Sequence, residues 1–354
     1  MSDHSTRSRL IALGAILLGA AVPIGCSDDP VSFDGSPDDL EYITPEEAGF
    51  SSAALQEARD WYDSIGSAAF MALYDGKVFV AWGNIDRKYS IHSIRKPILG
   101  ALYGIHVAGG AIDTAATLAD LGIDDIPPSL TAEEKQARVA DLLRSRSGVY
   151  HEAAAELPAA VAERPERGSH PPGTFYYYNN WDFNALGTIF EQETGLRIFE
   201  EFEREIAEPL GMQDFRISDC EYQYELERSM HPAYKFRMTA RDLARFGLLY
   251  QRDGVWDGQQ IVPADWIEAS TTIYSLDDPE IGLGYGMLWF VFPEDFPVGL
   301  GPAFAHSGIG VHLLYVRPED KLVFVHRVNT DEPWMTTSLD VLQLVALVLA
   351  ARAA

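Results

Sequence analysis

Cysteine, lysine and long apolar runs are all scarce in this chain. Two cysteines, Cys26 and Cys220, stand among 354 residues, too few for a disulfide framework. Cys220 has no neighbouring thiol or metal-type spacing and reads as a small half-buried residue. Lysine occurs six times, at 77, 88, 96, 135, 235 and 321. All basic residues together are outnumbered, 27 Lys and Arg against 53 Asp and Glu, for a net charge of −26. Such a field repels nucleic acid and anionic lipid headgroups, so no nucleic-acid partner is expected; solubility or salty surroundings account for the acidity. Absent too are a Gly-x-Ser-x-Gly elbow and a second histidine after His151-Glu152 at zinc-helix spacing. Gly282-Leu283-Gly284-Tyr285-Gly286 leads into a strand rather than from strand to helix, which excludes a nucleotide loop. The nine histidines show no ligand spacing, and neither metal nor cofactor is expected.

The apolar run from Leu10 to Ile24 follows Arg7 and Arg9 and ends in Gly25-Cys26. It falls short of the roughly 20 residues a membrane span needs, and reads as a secretion signal over residues 1–25. Val22-Pro23-Ile24-Gly25-Cys26 resembles a bacterial lipobox, in which Cys26 is acylated. Pro23 stands where such boxes most often carry leucine, so plain secretion remains the alternative. Residues 26–44, rich in Asp, Ser, Pro and Gly, suit a solvated acidic tether. The expected location is the bacterial periplasm or cell envelope, with a lipid anchor as the membrane contact.

At 354 residues and 47% hydrophobic content, the chain can bury a large core. Leu55, Ala58, Trp61 and Tyr62 fall on one stripe of a helix predicted over residues 51–65. Ala68–Tyr74 and Lys77–Trp82 read as strands joined by Asp75-Gly76, a strong hairpin signal. Residues 106–230 read mostly as helices and loops, with helical stretches at 182–194 and 198–206, and a further helix at 240–251. Strand character returns at Tyr285–Phe292, Val311–Val316 and Leu322–Val328. Thr337-Ser338-Leu339-Asp340 is a capping box opening a helix to about Arg352. These elements predict an α+β domain over 45–354. One antiparallel sheet (45–88 and 280–354) is flanked by helices and carries a mostly helical insertion (89–279).

Chemistry concentrates first at Ser90-Ile91-His92-Ser93-Ile94-Arg95-Lys96-Pro97. Pro97 is tolerated only in a first helical turn, so a helix begins near Ser93. The spacing of three then puts Ser93 and Lys96 on one face, about 5–6 Å apart at Cβ. Burial and the positive end of the helix both disfavour the ammonium, which lets Lys96 act as a base toward Ser93.

Two further stretches follow in order. They are Tyr176-Tyr177-Tyr178-Asn179-Asn180, with Leu186-Gly187 downstream, and Phe304-Ala305-His306-Ser307-Gly308-Ile309-Gly310. With Ser93-x-x-Lys96, these resemble the Ser-x-x-Lys, Tyr-x-Asn and Lys-Thr-Gly motifs of the serine β-lactamase and penicillin-binding-protein superfamily, the third written His-x-Gly. The class C branch and its serine hydrolase, esterase and amidase relatives are the nearest match. Segments 142–148 and 238–247 fit as well. Leu186-Gly187 favours the register Tyr178 and Asn180 over Tyr177 and Asn179.

The resemblance implies a β-lactamase/transpeptidase-like fold and an acyl-enzyme on Ser93. Lys96 would accept or relay the proton, and Tyr178 would serve with Lys96 as general base and activate the deacylating water. Asn180 would hydrogen-bond the substrate and Lys96, and His306, Ser307 and Gly308 would line the substrate. The backbone N–H groups of Ser93 and Ile309 would form the oxyanion hole. His306 departs from the family's lysine. A mostly neutral histidine holds a carboxylate less firmly, which points to hydrolysis of a small ester, amide or peptide. A β-lactamase or D,D-peptidase is the alternative.

Overall fold

Asp75 and Gly76 both adopt positive φ, 48° and 85°, the combination of a tight primed turn. They join β1 (Ala69–Tyr74) to β2 (Lys77–Gly83). The computed structural model describes residues 40–353, so the signal segment 1–25, Cys26 and most of the tether lie outside the described residues. β1 pairs along its other edge with a strand from the far end of the chain. The later strands are β3 (Ser275–Asp278), β4 (Leu283–Tyr285), β5 (Phe290–Phe292), β6 (Ala303–Gly308), β7 (His312–Arg317) and β8 (Leu322–Arg327). They complete an eight-stranded antiparallel sheet in the order β2-β1-β8-β7-β6-β5-β4-β3. The fold is the β-lactamase/transpeptidase-like α+β fold.

Period-two alternation divides the sheet's side chains between two cores. Phe70, Ala72, Leu313, Tyr315 and Phe324 face one core, shared with α1 (Ser52–Ser64) and the last helix, α5 (Ser338–Ala350). Met71, Leu73, Leu314, Val316 and Val325 face the other. That second core is covered by α2 (Arg95–Ala108), α3 (Asn180–Thr194) and α4 (Ala240–Gln251). α4 lies so close to the sheet that a Cβ at Gly247 would sit 2.6 Å from Val323 Cγ1. Thr337 caps α5 in a reciprocal box with Asp340. The Trp61 indole donates to Asp340 O at 2.9 Å, tying α1 to α5. Among the described residues no helix is long and apolar enough to cross a membrane.

Three expectations need correction. Tyr285–Phe292 is not one strand: Gly286 N–H donates to Trp289 O at 2.8 Å, Leu288 turns into the left-handed region, and Tyr285 pairs with Phe290 across a hairpin. Apolar composition alone cannot distinguish such a reversal from a continuous buried strand. The sheet part also starts earlier than residue 280, because the polar segment Ser275–Asp278 forms its edge. The insertion is less helical than expected. It contains a hairpin of Glu221–Glu225 and Ser229–Lys235, and the stretch after Phe202 widens into a π-turn over Glu203–Ala207.

Candidate active site

A short 3₁₀ turn, His92–Ile94, runs directly into α2. Pro97 falls in the first turn of α2, where its missing N–H leaves no intrahelical bond unmade. This geometry brings Lys96 Nζ to 2.8 Å from Ser93 Oγ. His92, immediately before, sits at φ 47° with its Nε2 2.8 Å from Thr330 Oγ1. Burial, and next the charge of Arg327, push its imidazole down to about 4.

Lys96 is 1% exposed. Its Nζ donates to Tyr178 Oη at 2.5 Å and lies 4.3 Å from the ring centroids of both Tyr178 and Phe183. Burial, followed by the adjacent Arg95 charge, holds the amine well below the usual lysine range. Burial thus favours the neutral amine, whose lone pair could take up a proton. Tyr178 is pushed up by burial, against a smaller opposing effect of Ser93 and Arg95, so its phenol keeps its proton. For both groups, then, burial favours the uncharged form. If Lys96 took up a proton, the ring of Phe183 would stabilise the ammonium by roughly 0.5–2 kcal/mol.

The backbone around Tyr178 is fixed from the segment after Leu143. Ser145 Oγ donates to Tyr177 O at 2.7 Å and accepts from Asn179 N–H at 3.0 Å. Asn179 caps α3 through Trp181 N–H, and its Nδ2 donates to Val149 O and to Asp182 Oδ1. Ser147 Oγ donates to the same carboxylate oxygen at 2.5 Å. This resolves the register. Tyr177 points away, its hydroxyl donating to Ala160 O, and Asn179 is a buried cap, so Tyr178 and Asn180 are the pair that faces Ser93.

Ser93, Tyr178, Asn180 and Ile309 line one cleft of about 530 Å³, together with Arg95 on its wall. The N–H groups of Ser93 and Ile309 have no hydrogen-bond partner among the described residues. Gly308 lets the end of β6 meet the loop before Ser93: a Cβ there would lie 2.5 Å from Ile91 O. Glycine is required at this position by the loop contact, whatever the substrate.

Other placements differ from expectation. Asn180 does not bond Lys96; among the described residues, the partners of that amine are Ser93 and Tyr178. His306 points from β6 toward the site but is fully buried. Its ring is 5.2 Å from Phe290 and 6.3 Å from Tyr178, Nδ1–H donates to Ser307 O, and Nε2 has no partner. Burial, and then Lys96, hold it well below the usual imidazole range. It is a neutral wall behind Tyr178, outside the lining of the cleft. Ser307 is not brought to the site. One position along the strand turns it to the opposite sheet face, in a hollow shared with Phe292, Val341 and Leu342. Cys220 is half-buried and free, its thiol pushed up to about 12 by burial. Sequence reasoning gave no role to Ser145 or Asp182, and weighed Asn179 only as the alternative register, although Ser145 and Asn179 both lie within stretches quoted for the resemblance.

Among the described residues no cluster of His, Cys, Asp or Glu could hold a metal ion. No curated protein matches the chain. Among solved structures, a penicillin-binding-protein homologue from Caulobacter crescentus is similar at 17% identity, over 88% of this chain and 100% of that one, with TM-score 0.64. A family VIII carboxylesterase is similar at 16% identity, over 86% and 99%, with TM-score 0.62. An octameric penicillin-binding-protein homologue from Pyrococcus abyssi is similar at 21% identity, over 84% and 75%, with TM-score 0.62. Identities this low carry the fold alone. Residues 53–347 match the family model described as Beta-lactamase, a span that opens within α1 and closes within α5, so the chain belongs to the Beta-lactamase family.

Proposed function

We propose that the protein is a serine hydrolase that cleaves an ester or amide of a small molecule through an acyl-enzyme on Ser93. The observation that carries this reading is the bridging position of Lys96 Nζ between Ser93 Oγ and Tyr178 Oη. In the proposed cycle Ser93 Oγ attacks the carbonyl carbon while its proton passes to the neutral Lys96 amine. The oxyanion is met by the free N–H groups of Ser93 and Ile309. As the tetrahedral species collapses, the leaving group takes a proton from Tyr178, which Lys96 replaces, and the acyl group stays on Ser93. Water then attacks the acyl-enzyme with the same pair accepting its proton, and the pair returns that proton to Ser93 Oγ as the acid leaves. In this scheme Lys96 is the base and Tyr178 the relay, because burial keeps the phenol protonated. Export behind residues 1–25, with Cys26 as the lipid attachment point, belongs to the same proposal.

Turnover of β-lactams or D,D-peptides is the competing reading, favoured by family membership. The buried neutral His306 weighs against it, because the strand presents no cation to the cleft. The deciding experiment is hydrolysis of 4-nitrophenyl acetate and of a chromogenic cephalosporin by the domain from residue 41 onward, wild type against Ser93→Ala. Ester turnover that falls by about 10³-fold or more in the variant, with negligible cephalosporin turnover, is expected. Equal ester rates in the two proteins would overturn the reading.

A further inference from the structure

The cleft's own charges depart from those of the chain around it. Of the carboxylates lining it, Glu156 is paired with Arg164, and Glu225 with Arg228 at 3.3 Å, while also accepting from Ala155 N–H. Three cations line the same space, and Arg228 is the one so engaged. Arg95 has no acidic partner among the described residues. Its Nη2 donates to Asn184 Oδ1 at 2.9 Å, and its guanidinium lies 4.1 Å from the Tyr234 ring centroid. Lys235 is held by Glu221, through one oxygen at 3.3 Å, with both side chains well exposed; such a pair contributes little. In a chain of net charge −26, the catalytic cleft thus carries unspent positive charge.

Lys235 also has a particular position. A second cavity of about 410 Å³ adjoins the cleft, and the two share Ser90, His92 and Lys235 in their linings. Lys235 closes the hairpin of Glu221–Glu225 and Ser229–Lys235 beside the residues that lead into Ser93, and its charge is felt at His92. Its strand is anchored at the far end, where Asp125 accepts from Ser229 Oγ and Met230 N–H. The side chain is partly exposed, mounted on a strand anchored at its far end, and lines both cavities where they adjoin.

We propose that Lys235 is a specificity-determining residue that binds a negatively charged group of the substrate, so that the hydrolase acts preferentially on esters or amides carrying a carboxylate or similar anion near the scissile carbonyl. The inference rests on the hydrolase reading above and names its substrate class. The cation comes from the hairpin of the insertion, not from β6, whose His306 is neutral and out of reach.

The test compares two esters of equal acyl length, mono-4-nitrophenyl glutarate and 4-nitrophenyl pentanoate, as a ratio of kcat/KM. Changes in folded fraction or in the Ser93–Lys96 chemistry cancel in that ratio. Wild type is expected to prefer the anionic ester by about tenfold or more, and the preference should shrink as salt is raised from low to several hundred millimolar. Lys235→Met should bring the ratio close to one, mainly through KM for the glutarate ester, and Lys235→Arg should retain most of the preference. An unchanged ratio in Lys235→Met, or no preference in wild type while both esters are turned over, overturns the inference and leaves the hydrolase reading standing. If wild type hydrolyses neither ester, the hydrolase reading falls. Calorimetric binding of glutarate to Ser93→Ala, with and without Lys235→Met, then decides the anion site: saturable binding lost with Lys235 supports it, and no binding overturns it.

Discussion

Ser145 grips the chain on both sides of Tyr178, its single hydroxyl donating to the carbonyl of Tyr177 and accepting from the N–H of Asn179. Because Tyr178 Oη must meet Lys96 Nζ within hydrogen-bond distance, the buried Ser145 acts on the site without touching it. Ser145→Ala removes both bonds and leaves two backbone groups wanting partners, a cost of about 1–3 kcal/mol in stability. A misplacement near 1 Å at Tyr178 corresponds to a loss of about 10²-fold in ester turnover. Denaturant melts and kcat, measured on one preparation, check both; a variant as active as wild type would show that Tyr178 needs no such clamp.

Burial holds the Lys96 amine of the folded protein below its unfolded reference value of about 10.4. Between its depressed folded pKa and that value the unfolded state binds more protons, so this residue destabilises the fold at neutral pH, and less as pH rises. Lys96→Met should abolish ester hydrolysis. Its melting temperature relative to wild type should be highest near pH 7 and fall toward pH 10. Thermal melts across that range check the sign, and a relative stability that rises with pH would contradict it.

His326 is buried with Nε2 against Ser67 Oγ and Nδ1 bonded to Val311 O, and burial pushes it down to about 4. The folded state thus refuses a proton that the unfolded state accepts near 6.5. Stability is present above pH 6.5 and declines as pH falls toward 4, by about 3 kcal/mol for a shift of this size. His326→Asn should be less stable than wild type at pH 7 and show a shallower loss between pH 6.5 and 4. Urea unfolding at half-unit pH steps measures the slope.

Asp125 gathers Trp181 Nε1–H, Ser229 Oγ–H and the N–H groups of Ile126 and Met230 within 2.6–2.8 Å. It joins α3 to the hairpin that carries Lys235. Asp125→Ala strands several buried neutral donors, each at a cost of about 1–3 kcal/mol where it finds no new partner. Asp125→Asn, which keeps one acceptor oxygen, should cost less. Equilibrium unfolding of the two variants orders them.

Much of this architecture could be read from local signals. Apolar runs of strand character placed two late strands at 311–316 and 322–328, against β7 and β8 at His312–Arg317 and Leu322–Arg327. Asp75-Gly76 announced its hairpin, and Thr337 with Asp340 the start of α5. The motif order drew Ser93, Tyr178, Asn180 and Ile309 toward one cleft, with Lys96 buried behind Ser93 and Tyr178. What escaped depends on direction and distance. Ser307 follows His306 in sequence but faces the other side of the sheet, a fact set by strand pleat and not by residue type. Lys235 carries no motif of its own and lines the cleft only when the chain folds back on itself. Ser145, though in segment 142–148, shows its part only through its bonds to the backbone on either side of Tyr178.

The pairing of β1 with β8 has a bearing on how the chain acquires its structure. Ser67 and His326, which touch across that seam, are 259 residues apart in sequence. The first hairpin is complete early in synthesis, yet its open edge has no neighbour until nearly the whole polypeptide exists. Closing so long a loop taxes chain entropy before any contact rewards it, which puts the domain among slow folders of high contact order. In sequence, α2 and Ser93 at its head fall between the two strands of that seam. A chain cut before residue 322 would keep every residue of Ser-x-x-Lys and Tyr-x-Asn, and lack the strand against which the first hairpin is zipped.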